Sequence, residues 1–313
     1  MSIARPKIAV VGTGAVGGYY GARLAQHGHD VHFLLRSDYE TVKRRGLNVR
    51  SCHGDFRLSP DQIQVYNDPH KMPVADLVLV TLKSTANDQF QPLIGPLLKE
   101  DTAILTIQNG LGNEDRLAEL FGASRILGGM AFVCINREAP GVIHHIDHGL
   151  IRLGEFKGGP SDRANRIANL FSSSTVQCEV LEDLRFGRWS KLIWNIPFNG
   201  FGAVLDLTTD RLIDNEAGIE LLTGIMREVA EAAEALGLKM PADIIDQQIR
   251  RTRTMGAYRS SMQVDRQEGR ALEVESIFGE PLRQANRAGV KTPKLEMLYR
   301  LVQLVDRHRP KLE

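Results

Sequence analysis

Lys7-Ile8-Ala9-Val10-Val11-Gly12-Thr13-Gly14-Ala15-Val16-Gly17-Gly18 is the stretch that decides the fold. Ile8 to Val11 form a short apolar run of the kind a buried strand makes, and it stops at Gly12. Residues 15–28 then follow helical spacing and stop at Gly28. A strand, a Gly-x-Gly-x-x-Gly turn and a helix, in that order, are the context that a dinucleotide fingerprint requires. Gly12 suits the tight turn, Gly14 lets backbone approach a pyrophosphate, and Gly17 lets the helix pack close to the strand. The helix N-terminus presents N–H groups and partial positive charge to an anion. Gly12, Thr13, Gly14, Ala15, Val16 and Gly17 are therefore the expected cofactor-binding turn.

Outward from this turn the same rhythm continues. Val31–Leu35, Leu77–Val80, Ala103–Ile107 and Ile126–Ile135 read as strands, the last broken by Gly128 and Gly129. Strands alternating with helices imply a parallel sheet with right-handed crossovers. Two segments depart from the rhythm. Residues 47–58 read as a strand pair around Gly54, and residues 142–153, which alternate and contain Gly149, as a second hairpin. After residue 182 strand runs vanish. Residues 216–236 place Leu221, Leu222, Ile225, Val229 and Ala232 on one side of a helix. Residues 294–308 do the same with Leu295, Leu298, Leu301, Val302 and Val305. The expected fold is α/β, with an N-terminal Rossmann-type doubly wound sheet (residues 1–182) followed by an all-α C-terminal domain (residues 183–313).

Length and charge agree with this reading. The 313 residues suit about two domains. With 39 basic and 38 acidic residues the net charge is +1, too little to grip a phosphate backbone, which argues against a nucleic-acid partner. Cys52, Cys134 and Cys178 are few, odd in number and widely spaced, so a disulfide framework is not expected. No apolar run is long enough to span a membrane. The Ile8–Val11 run is too short for a secretory signal core, so the cytoplasm is the expected location.

The end of the second strand selects the cofactor. Leu35 is followed by Arg36, not by the acid that usually binds the ribose hydroxyls of NAD. A guanidinium matches a 2′-phosphate bidentately, so NADP (as NADPH) is expected. Arg36 otherwise reads as a solvated surface arginine, and Asp38, two residues on, pulls the other way. Lys83 and Asn109 follow the third and fourth strands, where ligands bind in open α/β sheets. Lys83 suits the adenosine phosphate, and Asn109 the nicotinamide, ribose or substrate; ordinary loop roles remain open for both.

Further along, Lys191, Asn195 and Asn199 are spaced four and four in the apolar segment 188–199 and so share one helix face. Such groups on a buried face are costly without a ligand or a network; a lysine snorkelling at a domain surface is the alternative. Pro197 removes a helical N–H and is expected to kink this segment and displace Asn199.

Taken together these pieces resemble the ketopantoate reductase (2-dehydropantoate 2-reductase) family along essentially the whole chain. The resemblance rests on an ordered set: Gly12 to Gly18, Thr81-Leu82-Lys83, Gln108-Asn109-Gly110, Lys191-x-x-x-Asn195-x-x-x-Asn199, Ser260-Ser261-Met262-x-x-Asp265 and Leu272-Glu273-Val274-Glu275. It implies a Rossmann domain and a helical domain with a cleft between them. The implied reaction is NADPH-dependent reduction of a 2-oxo acid to a 2-hydroxy acid, with ketopantoate giving pantoate for pantothenate and coenzyme A synthesis. By resemblance, Lys191 is the general acid and Glu273 the glutamate at the cofactor and the lysine. Asn109, Asn195, Asn199, Ser261 and Asp265 fall on substrate positions, with Asn109 shared with the cofactor. Arg36 and Lys83 fall around the 2′-phosphate, and Cys134 near a backbone contact to cofactor.

The chemistry suits these residue types. Hydride delivery to a ketone builds negative charge on oxygen, which an ammonium can stabilise and protonate. Burial lowers a lysine pKa while a carboxylate opposes that, and the sequence leaves open which prevails. Glu275 competes with Glu273, though spacing favours Glu273. Thr209 stands where the pantoate enzymes tend to carry a further asparagine, and Gly279 and Pro281 are expected to interrupt the helix after Glu273. A reductase of another 2-oxo acid is the first alternative. A non-catalytic NADP-binding sensor is the second, opposed by the retention of Lys191, Asn195, Ser261 and Glu273.

Remaining signals are plainer. His144, His145 and His148 resemble ligand spacing, but alternate strand residues face opposite sides and no neighbouring Cys or carboxylate pattern completes a set, so no metal is expected. Lys43-Arg44-Arg45 reads as a solvated helix end. Arg250, Arg251 and Arg253 read as surface, with a role in attracting an anionic substrate as the alternative. A homodimer is compatible with the two apolar helices, whose stripes otherwise serve the core, the commoner use.

Overall fold

The first strand, β1 (Lys7–Val11), sits inside a ten-stranded sheet. The computed structural model describes residues 5–309. The other strands are β2 (Asp30–Leu34), β3 (Leu47–Ser51), β4 (Phe56–Leu58), β5 (Gln64–Tyr66), β6 (Leu77–Val80), β7 (Ala103–Thr106), β8 (Ile126–Ala139), β9 (Val142–Glu155) and β10 (Cys178–Val180). Their order is β4-β3-β9-β8-β7-β6-β1-β2-β5, with β10 beside β9. From β8 to β5 all neighbours are parallel. β1 pairs with β2 on one side and with β6 on the other, so the strand order reverses at β1, and Gly12 leaves the sheet at that switch point.

Helices α1 (Ala15–Gln26), α2 (Tyr39–Arg45), α3 (Phe90–Ile94), α4 (Asn113–Phe121) and α5 (Asp162–Ser172) accompany the strands. Burial follows the period of two. Ile8 and Val10 join one apolar cluster with Tyr19, Tyr20 and Phe171 of α1 and α5. Ala9 and Val11 face the opposite way, toward Phe90, Ile94 and Leu117 of α3 and α4. Both faces are covered, which is why β1 reads as an unbroken apolar run.

One strand expectation needs revision. Residues 142–153 are not a hairpin: they lie within the single strand β9, which runs antiparallel to β8. Gly149, at φ +130°, and His148, at φ +63°, form a bulge where the β8–β9 register shifts. The turn joining these strands is at Pro140-Gly141 instead. The pair at 47–58 is present as antiparallel β3 and β4. β5 and β10, three residues each, gave too little pattern to be seen in the sequence.

The remainder is helical: α6 (Leu184–Leu205), α7 (Thr209–Ile213), α8 (Glu216–Ala235), α9 (Ile244–Arg253), α10 (Ser261–Gln267), α11 (Glu280–Arg287) and α12 (Pro293–Arg307). The chain divides into two units, one running to Gln108 and resuming at Asn113–Leu184, the other holding Asn109–Gly112 and the described residues from Arg185 onward. The second unit has its own core, built from α6, α8 and α12 around Trp189, Ile196, Phe198, Ile225, Leu295 and Leu298. The Glu228 carboxylate of α8 accepts from the N–H groups of Lys294 (3.1 Å) and Leu295 (2.9 Å), satisfying the start of α12. Leu221 and Leu301, expected on buried stripes, are 44% and 37% exposed and lie off them.

Pro197 does not break α6, which is helical from Leu184 to Leu205. After Glu273, at Gly279 and Pro281, the backbone stays helical but is not one regular α-helix. Residues Glu275–Gly279 form a π-turn that leads directly into α11, and Pro281 falls in the first turn of α11, where its missing N–H costs nothing. A π-turn is a costly irregularity that often marks functional positions. Among the described residues no helix is long and apolar enough to cross a membrane.

Candidate active site

In the first unit, the glycine turn has the geometry of an anion cradle. Gly12 is at φ +100°, and a side chain there would come within 2.5 Å of the Leu82 backbone nitrogen. A Cβ on Gly17 would meet Thr81 Oγ1 at 2.2 Å and the Gly12 carbonyl at 2.6 Å, so only glycine lets α1 lie this close to β1 and β6. Gly14 differs, because a Cβ there would meet nothing within 4 Å. Its space lies open in front of the helix end. α1 carries no side-chain cap and no acidic residue in its first turn. Its leading N–H groups are thus not capped by a side chain, the condition under which a helix start suits an anion. The Thr13 hydroxyl is engaged elsewhere, donating to the Leu34 carbonyl at 2.9 Å and tying the turn to the end of β2. Thr81 Oγ1 donates to the Gly12 carbonyl at 2.7 Å and ties it to β6.

At the end of β2, Arg36 is exposed while Asp38 is 5% exposed. Arg137 Nη1 donates to Asp38 Oδ1 at 2.6 Å, Ser37 Oγ donates to the same oxygen at 3.0 Å, and the Gly141 N–H donates to Oδ2 at 3.2 Å. The carboxylate that weakened the case for NADP in the sequence is thus committed to holding β8, the Gly141 turn and α2 together. Lys83 is exposed just after β6, and Cys134 is 6% exposed in β8. Gln108, at the end of β7, accepts from Thr106 Oγ1 (2.8 Å) and donates to Asn87 Oδ1 (2.9 Å); Asn87 in turn donates to Asn113 Oδ1 (2.7 Å). This chain of amides fixes the two ends of the 109–112 segment's neighbours in the first unit.

In the second unit, Lys191, Asn195 and Asn199 lie on successive turns of α6. Lys191 Nζ donates to Asn109 Oδ1 at 2.9 Å. Asn109 is held by its own loop: the Leu111 N–H donates to the Ser276 carbonyl at 2.8 Å. Gly110, at φ +84°, packs so close to Ser276 that a Cβ would lie 2.3 Å from that carbonyl. The π-turn therefore presents Ser276 to the loop that carries Asn109.

Burial is the main influence on Lys191. With the repulsion of the Arg188 guanidinium, it lowers the ammonium pKa to about 7, against the opposing pull of Glu273. This settles the balance left open by the sequence: desolvation outweighs the carboxylate. Arg188 was not singled out in the sequence, although its place three residues before Lys191, one turn back on the same helix, was the available signal. Glu273 is 4% exposed. Its rival Glu275 points elsewhere, accepting from Tyr299 Oη (2.7 Å) and Arg283 Nη1 (2.8 Å).

Asn199 is not displaced from Ser261. Its Oδ1 accepts from Ser261 Oγ at 3.3 Å and from the Met262 N–H at 3.2 Å, so α6 and the start of α10 meet at this amide. Asn195 is 5% exposed one turn nearer Lys191. Asp265, 2% exposed, accepts from Arg270 Nε at 2.8 Å, a partner the sequence reading did not foresee. The Thr209 hydroxyl donates to the Gly256 carbonyl at 2.8 Å and so secures the backbone ahead of α10.

The comparisons with known proteins agree across the chain. Residues 8–158 match the family model described as Ketopantoate reductase PanE/ApbA, and residues 183–306 match its C-terminal counterpart. The chain belongs to the ketopantoate reductase family. It is 44% identical over 305 residues to a Nostoc sp. protein named 2-dehydropantoate 2-reductase, covering 96% of this chain and 95% of that one. A crystal structure of 2-dehydropantoate 2-reductase from Geobacter metallireducens superposes with a TM-score of 0.93 at 46% identity, covering 95% and 99% of the two chains. A second, from Methylococcus capsulatus, gives 0.87 at 33% identity, covering 98% of each. The fold is that of the family: a Rossmann-type sheet widened by antiparallel strands, followed by helices.

Proposed function

We propose that this protein is a 2-dehydropantoate 2-reductase, reducing ketopantoate to (R)-pantoate with NADPH, for pantothenate and coenzyme A synthesis. The observation that carries the reading is Lys191 bonded to Asn109, with a pKa of about 7, in a member of this family.

The reduced nicotinamide, when bound, supplies the hydride. The chain's own residues do the rest. The glycine turn binds the pyrophosphate through backbone N–H groups, and its open space at Gly14 supports that fit. Arg36 and Lys83 bind the 2′-phosphate, a reading supported by the commitment of Asp38 to Arg137. Lys191 donates its Nζ proton to the ketone oxygen as negative charge develops there. Asn109, a neutral amide, aims the ammonium without a charge that would raise its pKa. Glu273 draws the ammonium toward itself and limits the fall in pKa. Asn195, Asn199 and Ser261 bind the substrate's oxygens, and Asp265 fixes the α10 end of that set through Arg270. The Cys134 backbone contacts the cofactor in this reading.

A small-molecule 2-oxo acid is thus the partner. Cys52, Cys134 and Cys178 form no disulfide, which supports a cytoplasmic location in this reading. The exposed apolar residues Met297, Leu301 and Leu304 on one side of α12 support a homodimer. Reduction of a different 2-oxo acid is the second reading, favoured by Thr209, whose hydroxyl is spent on Gly256. NADPH oxidation measured with ketopantoate beside a panel of other 2-oxo acids decides between them. The first reading expects ketopantoate to have the highest kcat/KM; no turnover of ketopantoate together with turnover of another acid overturns it.

A further inference from the structure

The end of β3 carries Ser51-Cys52-His53, and β3 pairs in parallel with β9, Ser51 opposite His145. The Cys52 N–H donates to the His145 carbonyl at 3.1 Å, so backbone pairing fixes the two residues side by side. Cys52 Sγ lies 3.8 Å from His145 Nδ1. One ligand atom each from Cys52, His53 and His145 falls within 4.8 Å of the others. None of the three has a part in the reductase reading.

The geometry suits a metal ion. A tetrahedral centre with metal–sulfur and metal–nitrogen bonds of about 2.3 and 2.0–2.1 Å separates S from N by about 3.6 Å. The Cys52–His145 edge is already close to that, and the His53 ligand atom, within 4.8 Å of both, has to close by about 1 Å at most. His145 is fully buried, and its Nε2 lies 3.0 Å from the His148 carbonyl. That carbonyl lies at the bulge of His148 and Gly149. Donation from Nε2–H leaves the lone pair on Nδ1, the nitrogen facing Cys52, and Ser51 Oγ approaches that nitrogen at 2.8 Å. A second-nitrogen bond to a backbone carbonyl is how metal-binding histidines are oriented. Tyr19 packs against the same ring, with centroids 4.3 Å apart.

The 51–54 turn is also fixed in advance. Arg23 Nη2 donates to Ser51 Oγ (3.0 Å) and to the carbonyls of His53 (3.4 Å) and Gly54 (3.3 Å). Cys52 and His53 are exposed, which leaves an entry path and room for a water as fourth ligand. His144 and His148, by contrast, do not converge on the site. His144 Nδ1 pairs with Glu138, and His148 is exposed.

We propose that Cys52, His53 and His145 bind one Zn²⁺ ion, with water completing a tetrahedral set and the ion clamping β3 to β9. One thiolate and two imidazoles select zinc over the oxygen-seeking calcium and magnesium. On binding, the Cys52 S–H bond breaks, its proton passes to solvent, and the sulfur lone pair forms the bond to the metal. The Ser51 hydroxyl hydrogen swings away from His145 Nδ1 as that lone pair is taken.

The test uses the full-length protein, reduced and stripped with chelator, and titrated with Zn²⁺ by calorimetry and with Co²⁺ by absorbance. One equivalent should bind at micromolar affinity or better, with a thiolate-to-cobalt charge-transfer band, and zinc should raise the Tm. Cys52→Ser should abolish the band and weaken zinc by about a hundredfold, and His53→Ala by at least tenfold, each folding normally without metal by circular dichroism. His144→Ala should change nothing. Wild-type protein that takes up no zinc at micromolar concentration overturns the proposal. So does a Cys52→Ser or His53→Ala variant that binds zinc as the wild type does.

Discussion

In the proposed reading the glycine turn after β1 and the polar face of α6 both take ligands, but by opposite means. The turn uses main-chain N–H groups, and its side chains are absent or already spent, as with Thr13 on Leu34. Its requirements are steric and local: a positive φ at Gly12 and no Cβ at Gly17. α6 uses side chains, and its key property is electrostatic. The character of Lys191 is set by burial, by Arg188 and by Glu273, which is 82 positions away in sequence. The first design tolerates little change in shape. The second tolerates little change in charge.

This contrast breaks most sharply at Lys191. Replacement by Ala should lower kcat for the proposed reduction by about a thousandfold while changing NADPH affinity by less than about threefold. An unchanged kcat would remove Lys191 from the chemistry. The pH dependence sharpens the same point. Reduction needs the protonated amine, so kcat/KM should be level below about pH 7 and fall about tenfold per unit above it. Stability should move the other way. In the unfolded chain this lysine keeps its proton to about pH 10.4, but in the folded chain only to about 7. Between these limits the unfolded state binds more protons, so stability rises with pH. Lys191→Met should lose that rise in Tm.

Gly17→Val tests the steric side. The added carbons collide with Thr81 Oγ1 and the Gly12 carbonyl. NADPH binding by titration should weaken by about tenfold to a hundredfold and the Tm should fall, from an overpacking cost of about 1–3 kcal/mol. The kcat at saturating cofactor should change far less. If kcat falls as much as affinity, the division between binding by shape and catalysis by charge fails. The smallest effect is expected at Arg36. Its replacement by Ala should weaken NADPH about tenfold and leave NADH nearly unchanged, as loss of one charge-assisted phosphate contact would do. Equal weakening of both would show that Arg36 does not read the phosphate.

The parts of the fold legible in sequence were those governed by short-range pattern. β1, β2, β6 and β7 showed as apolar runs because both faces of the sheet are covered. α8 and α12 showed by their stripes, except that Leu221 and Leu301 sit just past the edge of the buried arc. The β9 bulge was misread because Gly149 at positive φ leaves the same trace in sequence whether it makes a turn or a bulge. Pro197 was expected to kink α6 and displace Asn199; the segment stays helical through it, its flanks Ile196 and Phe198 are fully buried, and Asn199 still meets Ser261.

Lys191, Asn195 and Asn199 could be found from their spacing, and Asn109 from its place after a strand. What made them a site could not. Asp38 is paired with Arg137, 99 positions away, and Cys52 meets His145 across 93. The sequence by itself determined the doubly wound half, the helical half and the glycine turn, because each follows from residues within one or two turns of chain. The tertiary structure alone decided the proton affinity of Lys191, the employment of Asp38 and the meeting of Cys52, His53 and His145. Those depend on desolvation and on charges and lone pairs brought together through space, and neither is written in local order.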